Sequence, residues 1–400
     1  MKKASLALSN LRAVVIVIVL FFHSSLAYLA SAPAPVAFDQ PPYIWQAFPI
    51  VDSHRWLGLD IICAWLDVCL MSMMFLLSGL FVAGSLSRKG TRTYVSDRLW
   101  RIGAPFLLAI VVLSPLSFYP AYLMRTADAS LSGYWSQWLS LGIWPIGPQW
   151  FLWQLLIVNL LAALLYAAWP ALLDRTAQLG DWAAVRPVKF FVILVAVSAL
   201  VYAPLALAFS PWTWKAIGPF SLQLCRPGQY ILFFFTGFML GSHGLDRGLL
   251  ACDGPLARRW WAWLAAAAAA FFLWAGITSL TFPDWTAASL AARLGASLFY
   301  PLACAAGAFA MLGGFLRFAG ATRSRVLDSL SVNAYSMYLL HYVPVVWLQY
   351  ALLGSDLPAV IKLALVLAVA LTVSWSLSVA YTRLAAGPDA GKRAFSPVSR

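Results

Sequence analysis

The strongest chemical signal in this sequence is a histidine and an arginine on one helical face. Arg12 and His23 stand eleven positions apart in an apolar stretch. That is about 1100° of helix rotation, so the side chains lie roughly 20° from eclipsed and about 16 Å apart along the axis. With Arg12 at the inner boundary of a membrane, His23 falls near mid-bilayer, where a neutral imidazole can take a proton at physiological pH. A second histidine, His341, ends the run Ser336–Met337–Tyr338–Leu339–Leu340–His341. If that helix begins near Ser329, His341 is about 18 Å deep, and Asn333, Ser336 and His341 share a polar stripe roughly 140° wide. Two imidazoles at matching depth predict a shared polar cavity. The plainer reading of each is a packing histidine hydrogen-bonded to a neighbouring helix.

Other groups follow. The segment 88–101, read as a loop, holds Arg88, Lys89, Arg92, Arg98 and Arg101 against Asp97 alone. Part of this is ordinary positive-inside charge. Arg98 and Arg101, at i and i+3 at the start of a span, could also clamp phosphate through bidentate hydrogen bonds. Ser78–Gly79 suits close helix approach or a cavity wall, and Gln149 and Trp150 stand at the outer entrance of their span. Asp67 should be protonated or paired, with no partner legible. His54 and His243 read as solvated.

The elements that must position these residues are membrane helices. The chain of 400 residues is 62% hydrophobic and 10% charged, against about 25% charged in a water-soluble protein. Twenty Trp and fifteen Tyr suit interfacial belts. The sequence therefore predicts an all-α, polytopic transmembrane bundle of about ten spans, near 11–31, 57–86, 99–123, 148–169, 188–209, 228–242, 260–280, 291–316, 329–352 and 358–382. The apolar stretch after Lys2 and Lys3 spans a core of ~30 Å, which favours a membrane helix over a cleaved leader. With both termini cytoplasmic, all of the 27 Lys and Arg fall inside except Arg55, Arg125, Lys215, Arg226, Arg293 and Lys362. Distributed this way, the net charge of +13 does not indicate nucleic acid. The five cysteines have neither zinc spacing nor a disulfide framework. The alanine run 265–270 reads as close helix packing.

These residues together resemble the membrane acyltransferase-3 family. The Arg–ten residues–His arrangement of Arg12 and His23 resembles its first-span signature, and Phe75–Leu76–Leu77–Ser78–Gly79 its FFVLSG segment. Arg98–Leu99–Trp100–Arg101–Ile102–Gly103–Ala104–Pro105 is similar to its RxxRI…P stretch, Trp150–Phe151–Leu152 to its WFL element, and Ser336–His341 to its YSxYLLH. The matches keep family order and cover most of the chain. The absence of an appended esterase-like domain resembles the branch that decorates periplasmic glucans with succinyl groups. Two positions depart from the pattern. Ser72 stands where many members carry an acid, so no acidic partner for His23 is carried over. Pro148 and Gln149 replace the His-Leu of the glucan branch.

The resemblance implies an acyltransferase-3-like domain over 1–386, a short cytoplasmic tail at 387–400, and residence in a bacterial inner membrane. It implies acyl transfer from cytoplasmic acyl-CoA, a co-substrate rather than a resident cofactor, to a hydroxyl of an extracytoplasmic glycan. His23 would be the base or transient acyl acceptor, with Arg12 anchoring phosphate and orienting the helix. His341 or Tyr338 would face the thioester oxygen. Arg88, Arg98, Arg101 and Ser78 would lie along the acyl-CoA path, and Gln149, Trp150 and Asn333 along the acceptor path. A proton-coupled transporter or flippase, which also uses buried histidines, and a non-catalytic scaffold are the competing expectations. No internal repeat favours the transporter.

Overall fold

In lipid every backbone polar group must be satisfied internally, so long apolar runs fold as helices. A computed structural model describes residues 3–385, and the tail expected at 387–400 lies outside them. Helix α1 (Lys3–Ser25) leads into an outer loop, and α2 (Leu57–Gly79) returns. Next, α3 (Val82–Arg98) continues through wider π turns at Leu99–Gly103 and Ala109–Leu113, with α4 (Ala104–Leu108) between them, into α5 (Ser114–Leu123). The short α6 (Leu131–Ser140) precedes α7 (Trp150–Ala168), α8 (Leu172–Val185) and α9 (Pro187–Phe209). An antiparallel hairpin, β1 (Trp214–Ile217) and β2 (Phe220–Gln223), leads to α10 (Pro227–His243). The chain closes with α11 (Pro255–Arg258), α12 (Trp260–Ser279), α13 (Leu290–Phe318), α14 (Arg325–Leu340), α15 (Tyr342–Ala351) and α16 (Ala359–Ala385).

Among the described residues, eight helical segments are long and apolar enough to cross a membrane. The other two of the ten spans read from sequence are the 17-residue α10 and the pair α14–α15, broken at His341. The exterior is apolar: Ile61, Val111, Leu164, Leu200 and Phe272 are exposed, while Asp52, Gln149, Arg226, His341 and Lys362 are buried. That arrangement defines an all-α polytopic membrane bundle.

Several boundaries differ from expectation. The span placed at 57–86 ends at Gly79, and Leu80–Phe81 turn the chain into α3. The basic segment 88–101 is helical rather than a loop, broken only at Gly90, whose φ of 73° is open to glycine at no steric cost. Helix α1 starts eight residues before the expected span and ends at Ser25, so His23 occupies its last turn rather than its centre. Only one stripe of the alanine run, Ala267 and Ala270, is buried; Ala265, Ala266 and Ala269 face outward.

Where it ends, α2 crosses α10 at close range. A Cβ on Gly79 would meet Phe234 O, one on Gly237 would meet Leu76 O, and one on Gly241 would meet Leu80 O. The backbones touch directly, through a Gly237–Gly241 spacing that favours close helix approach. Gly237→Leu should therefore lower stability by about 1–3 kcal/mol or more, read as an earlier thermal unfolding midpoint in detergent. Gly276→Leu, where nothing lies within 4 Å, should be near neutral. Equal midpoints for the two variants would contradict this packing.

The loop 27–56, α5 and α6 form a cap over one end of the bundle. Phe38 stacks on Trp45 at 4.3 Å, Trp45 meets Phe118 edge-on at 5.3 Å, and Trp138 is wholly buried beside them. Arg125 ties the cap together by donating to Pro49 O at 2.7 Å and Ala121 O at 2.9 Å. Burial lowers its pKa to about 10 by penalising the charged form.

Candidate active site

Helices α1 and α14 run side by side in the same direction. Ser9 Oγ donates to Ser331 Oγ at 2.9 Å near one end of the contact, and His23 meets His341 near the other. Their facing nitrogens, His23 Nδ1 and His341 Nε2, are 3.3 Å apart, with ring centroids at 5.0 Å. His341 is completely buried and His23 half-buried.

The surrounding carbonyls assign the tautomers. His341 Nδ1 lies 2.6 Å from Tyr338 O, which can only accept, so Nδ1 carries the proton and Nε2 is bare. His23 Nδ1 lies 2.9 Å from Val19 O, one turn back, so it too carries the proton. A single N–H of His23 thus points between Val19 O and the bare Nε2 of His341. The remaining nitrogen, His23 Nε2, keeps its lone pair, and no described residue hydrogen-bonds it. This is an oriented base. The order resembles that of a catalytic triad, in which a third group fixes the tautomer of the proton-accepting histidine and steadies the imidazolium. Here that group is a second imidazole, and among the described residues no carboxylate hydrogen-bonds either ring.

The end of α1 is held in place by Gln349 of α15, whose Nε2 donates to His23 O at 3.0 Å and Ser24 O at 3.1 Å. Tyr342 packs edge-on against His23 at 5.5 Å and leads to Phe118 of the cap at 5.9 Å. Both residues escaped the sequence reading, although a Gln inside an apolar span was an available signal.

Tyr338 belongs to the same cluster, but its hydroxyl donates to Pro148 O. With both His341 nitrogens also engaged, neither residue holds a free donor for a thioester oxygen in this arrangement. Gln149 is buried, with Nε2 3.4 Å from Leu339 O. Trp150 stacks on Tyr230 at 5.8 Å, Tyr230 on Phe75 at 4.8 Å, Phe75 meets Phe151 at 4.9 Å, and Phe151 meets Tyr338 at 5.7 Å. The segments at 75–79, 148–152 and 336–341, remote in sequence, therefore converge beside His23 through one aromatic chain.

Arg12 is exposed and lies over the Phe81 ring at 5.0 Å, just past half-buried Ser78 at the end of α2. Asn10, two residues before it, donates to Ala319 O and Thr322 O, placing Arg12 at the basic end of the bundle. Arg98 lies half-buried over Tyr94 at 5.0 Å. Arg88 and Arg101 are exposed. Arg12, Arg88, Arg98 and Arg101 make no ion pair among the described residues, whereas Lys89 pairs with Asp97. Asn333 lies elsewhere: its amide donates to Ser329 O and its Oδ1 accepts from Ser378 Oγ at 2.8 Å, joining α14 to α16. The polar stripe expected through Asn333 and His341 is divided: the two lie about 80° apart on the helix, so Asn333 faces Ser378 of α16 while His341 faces His23 of α1.

The partner of Asp67 is Arg226, bidentate at 2.9 and 2.5 Å, with Tyr300 beneath the guanidinium. Arg226, counted among the external cations, is buried. Lys362 is buried too, paired with Asp52 at 2.8 Å, so two of the six external cations are internal ion pairs. Ser72 is buried and receives Gln229 Nε2 at 3.4 Å, apart from the histidines. His243 is largely buried against Asp181 rather than solvated, because Gly180 and Gly248 let it seat between segments. No three His, Cys, Asp or Glu among the described residues form a metal-holding group.

The bundle defines a multi-pass membrane protein with two imidazoles paired inside it. The chain belongs to the acyltransferase-3 family: the family model, described as an acyltransferase domain, matches residues 5–379. It is an acyltransferase acting on groups other than aminoacyl groups. No curated protein and no solved structure matches the chain.

Proposed function

We propose that the protein moves an acetyl or succinyl group from cytoplasmic acyl-CoA to a hydroxyl of an extracytoplasmic glycan, with His23 Nε2 as general base. The observation that carries this reading is the half-buried, bare Nε2 set opposite the N–H that His341 and Val19 O orient. The acceptor O–H gives its proton to Nε2 as its oxygen attacks the thioester carbonyl. The C–S bond breaks, the coenzyme leaves as thiolate, and the imidazolium returns the proton to it. As His23 gains charge, Val19 O and the lone pair of His341 both stabilise the growing N–H dipole, which favours the transition state over the ground state.

Arg12 and Arg98, free of ion pairs and on the basic side, hold the phosphates of the coenzyme in this reading, while Arg88 and Arg101 extend the positive field. The thin pantetheine arm runs past Ser78 toward His23. The acceptor enters from the aromatic cap, past Gln149 and Trp150. A glucan acceptor and a bacterial inner membrane belong to the same proposal, because acyl-CoA is cytoplasmic and the acceptor lies across the bilayer.

The test is a vesicle assay with acyl-labelled coenzyme A on the basic side and a soluble glucan on the other. Label bound covalently to the glucan supports the proposal. Label crossing the bilayer still as a free acid or thioester would indicate a carrier and overturn it.

A further inference from the structure

On the basic side, away from the histidines, a groove of about 570 Å³ lies where α8 gives way to α9 and the chain approaches α11. Four cations line it, Arg186, Lys189, Arg258 and Arg259, against the single acid Asp253. All four are exposed, and none forms an ion pair or a side-chain hydrogen bond among the described residues. The groove also contains the first turn of α9, which opens with Pro187 behind an Arg186 that supplies no side-chain cap. First-turn amides of a helix lack intrahelical partners and favour an anion. So much unneutralised positive charge around a cavity predicts a phosphate-bearing occupant.

The rim says which kind. Val185 and Val188 line the same groove and are 78% and 52% exposed. Val188 belongs to a helix apolar enough to cross the membrane, and Val185 ends α8 just before it, so the apolar rim lies at the mouth of a span. Trp260 and Trp261 follow Arg259 directly, and Trp261 is 63% exposed, the setting of an indole at headgroup depth. A soluble nucleotide would gain nothing from the apolar rim, whereas a phospholipid uses both parts. We infer that this groove binds the phosphate headgroup of an anionic phospholipid, with the acyl chains lying over Val185 and Val188. It shares no residue with the site around His23, so it is a second binding site rather than an extension of the first.

The experiment uses the purified full chain in neutral detergent, offered equal amounts of phosphatidylglycerol and phosphatidylcholine, with retained lipid read by native mass spectrometry. Phosphatidylglycerol should be retained preferentially. Arg258→Gln combined with Arg259→Gln should reduce that retention by roughly tenfold or more, since each cation near an anionic surface contributes about fivefold. Arg323→Gln, an exposed arginine outside the groove, should leave it unchanged. Inorganic phosphate and coenzyme A should not displace the lipid. Equal retention of the two lipids by the unaltered protein would overturn the inference. So would undiminished retention in the double variant, an equal loss in Arg323→Gln, or displacement by phosphate or coenzyme A. If the double variant does not fold, Lys189→Gln and the two-lipid comparison on the unaltered protein still decide the matter.

Discussion

His23→Ala should lose about 10²–10⁴-fold in acyl transfer, the range over which a positioned general base contributes, while the protein still inserts and purifies as a single species. The loss falls on kcat, because Nε2 acts on the acceptor hydroxyl and makes no contact with the coenzyme phosphates in the proposed reaction. Folding should be spared. The half-buried ring gives up one bond to Val19 O and one to His341, while the close contacts of α1 at Leu11, Ile16, Val19 and Leu20 remain. His341 acts through His23, so it is a positioning residue. His341→Ala should lower kcat less than His23→Ala and alter the pH profile, because the tautomer and cation of His23 are then held by Val19 O alone. Near-normal transfer by His23→Ala would refute the assignment.

Lys362→Met should destabilise the protein by about 3–5 kcal/mol, the cost of leaving one member of a buried ion pair uncompensated. Both side chains are wholly buried, at 0% exposure. Asp52 also accepts from the His54 amide at 2.8 Å, and its own N–H donates to Ala27 O at 2.9 Å. The pair fastens the cap loop to α16, while the backbone bond to Ala27 O holds the same loop just past the end of α1, four residues beyond His23. Thermal unfolding in detergent should show an earlier transition, with transfer activity falling because the cap no longer closes over the site. Replacing both members, Asp52→Leu with Lys362→Met, should recover most of the stability, since no orphan charge remains. A single variant as stable as the unaltered protein would contradict this account.

The bundle was legible because lipid imposes a simple rule: long apolar runs with charges at their ends. Helix periodicity placed Arg12 and His23 on one face of the first span; in the structure Arg12 lies over Phe81 and His23 meets His341. What the sequence hid were partnerships set by tertiary packing. Nothing local couples Asp67 to Arg226 or Asp52 to Lys362, pairs 159 and 310 positions apart, and a charge counted as a loop residue turned out to be a buried one. The break after Leu340, by contrast, has a local signal, because Pro344 has no N–H to give Leu340 O. Asn333 reads onto the histidine stripe because it lies within about 80° of His341 on a helical wheel, whereas the structure gives it to Ser378. The Gly237–Gly241 spacing was present in the sequence but acquires meaning only beside Gly79 of another helix. The helical form of 88–98 was obscured by its charge density, which resembles a loop until Gly90 is seen to absorb the kink alone.

The protonation of the two imidazoles tests the central claim most directly. The chain has four histidines, so removing His54 and His243 leaves only His23 and His341 to observe by nitrogen-15 magnetic resonance in lipid. At neutral pH both rings should be neutral and protonated on Nδ1, and the unprotonated Nε2 of His23 should vanish from the spectrum in His23→Gln. A His23 ring protonated on Nε2 would mean that the nitrogen assigned to catalysis has no lone pair to offer, and the proposed base would be the wrong atom.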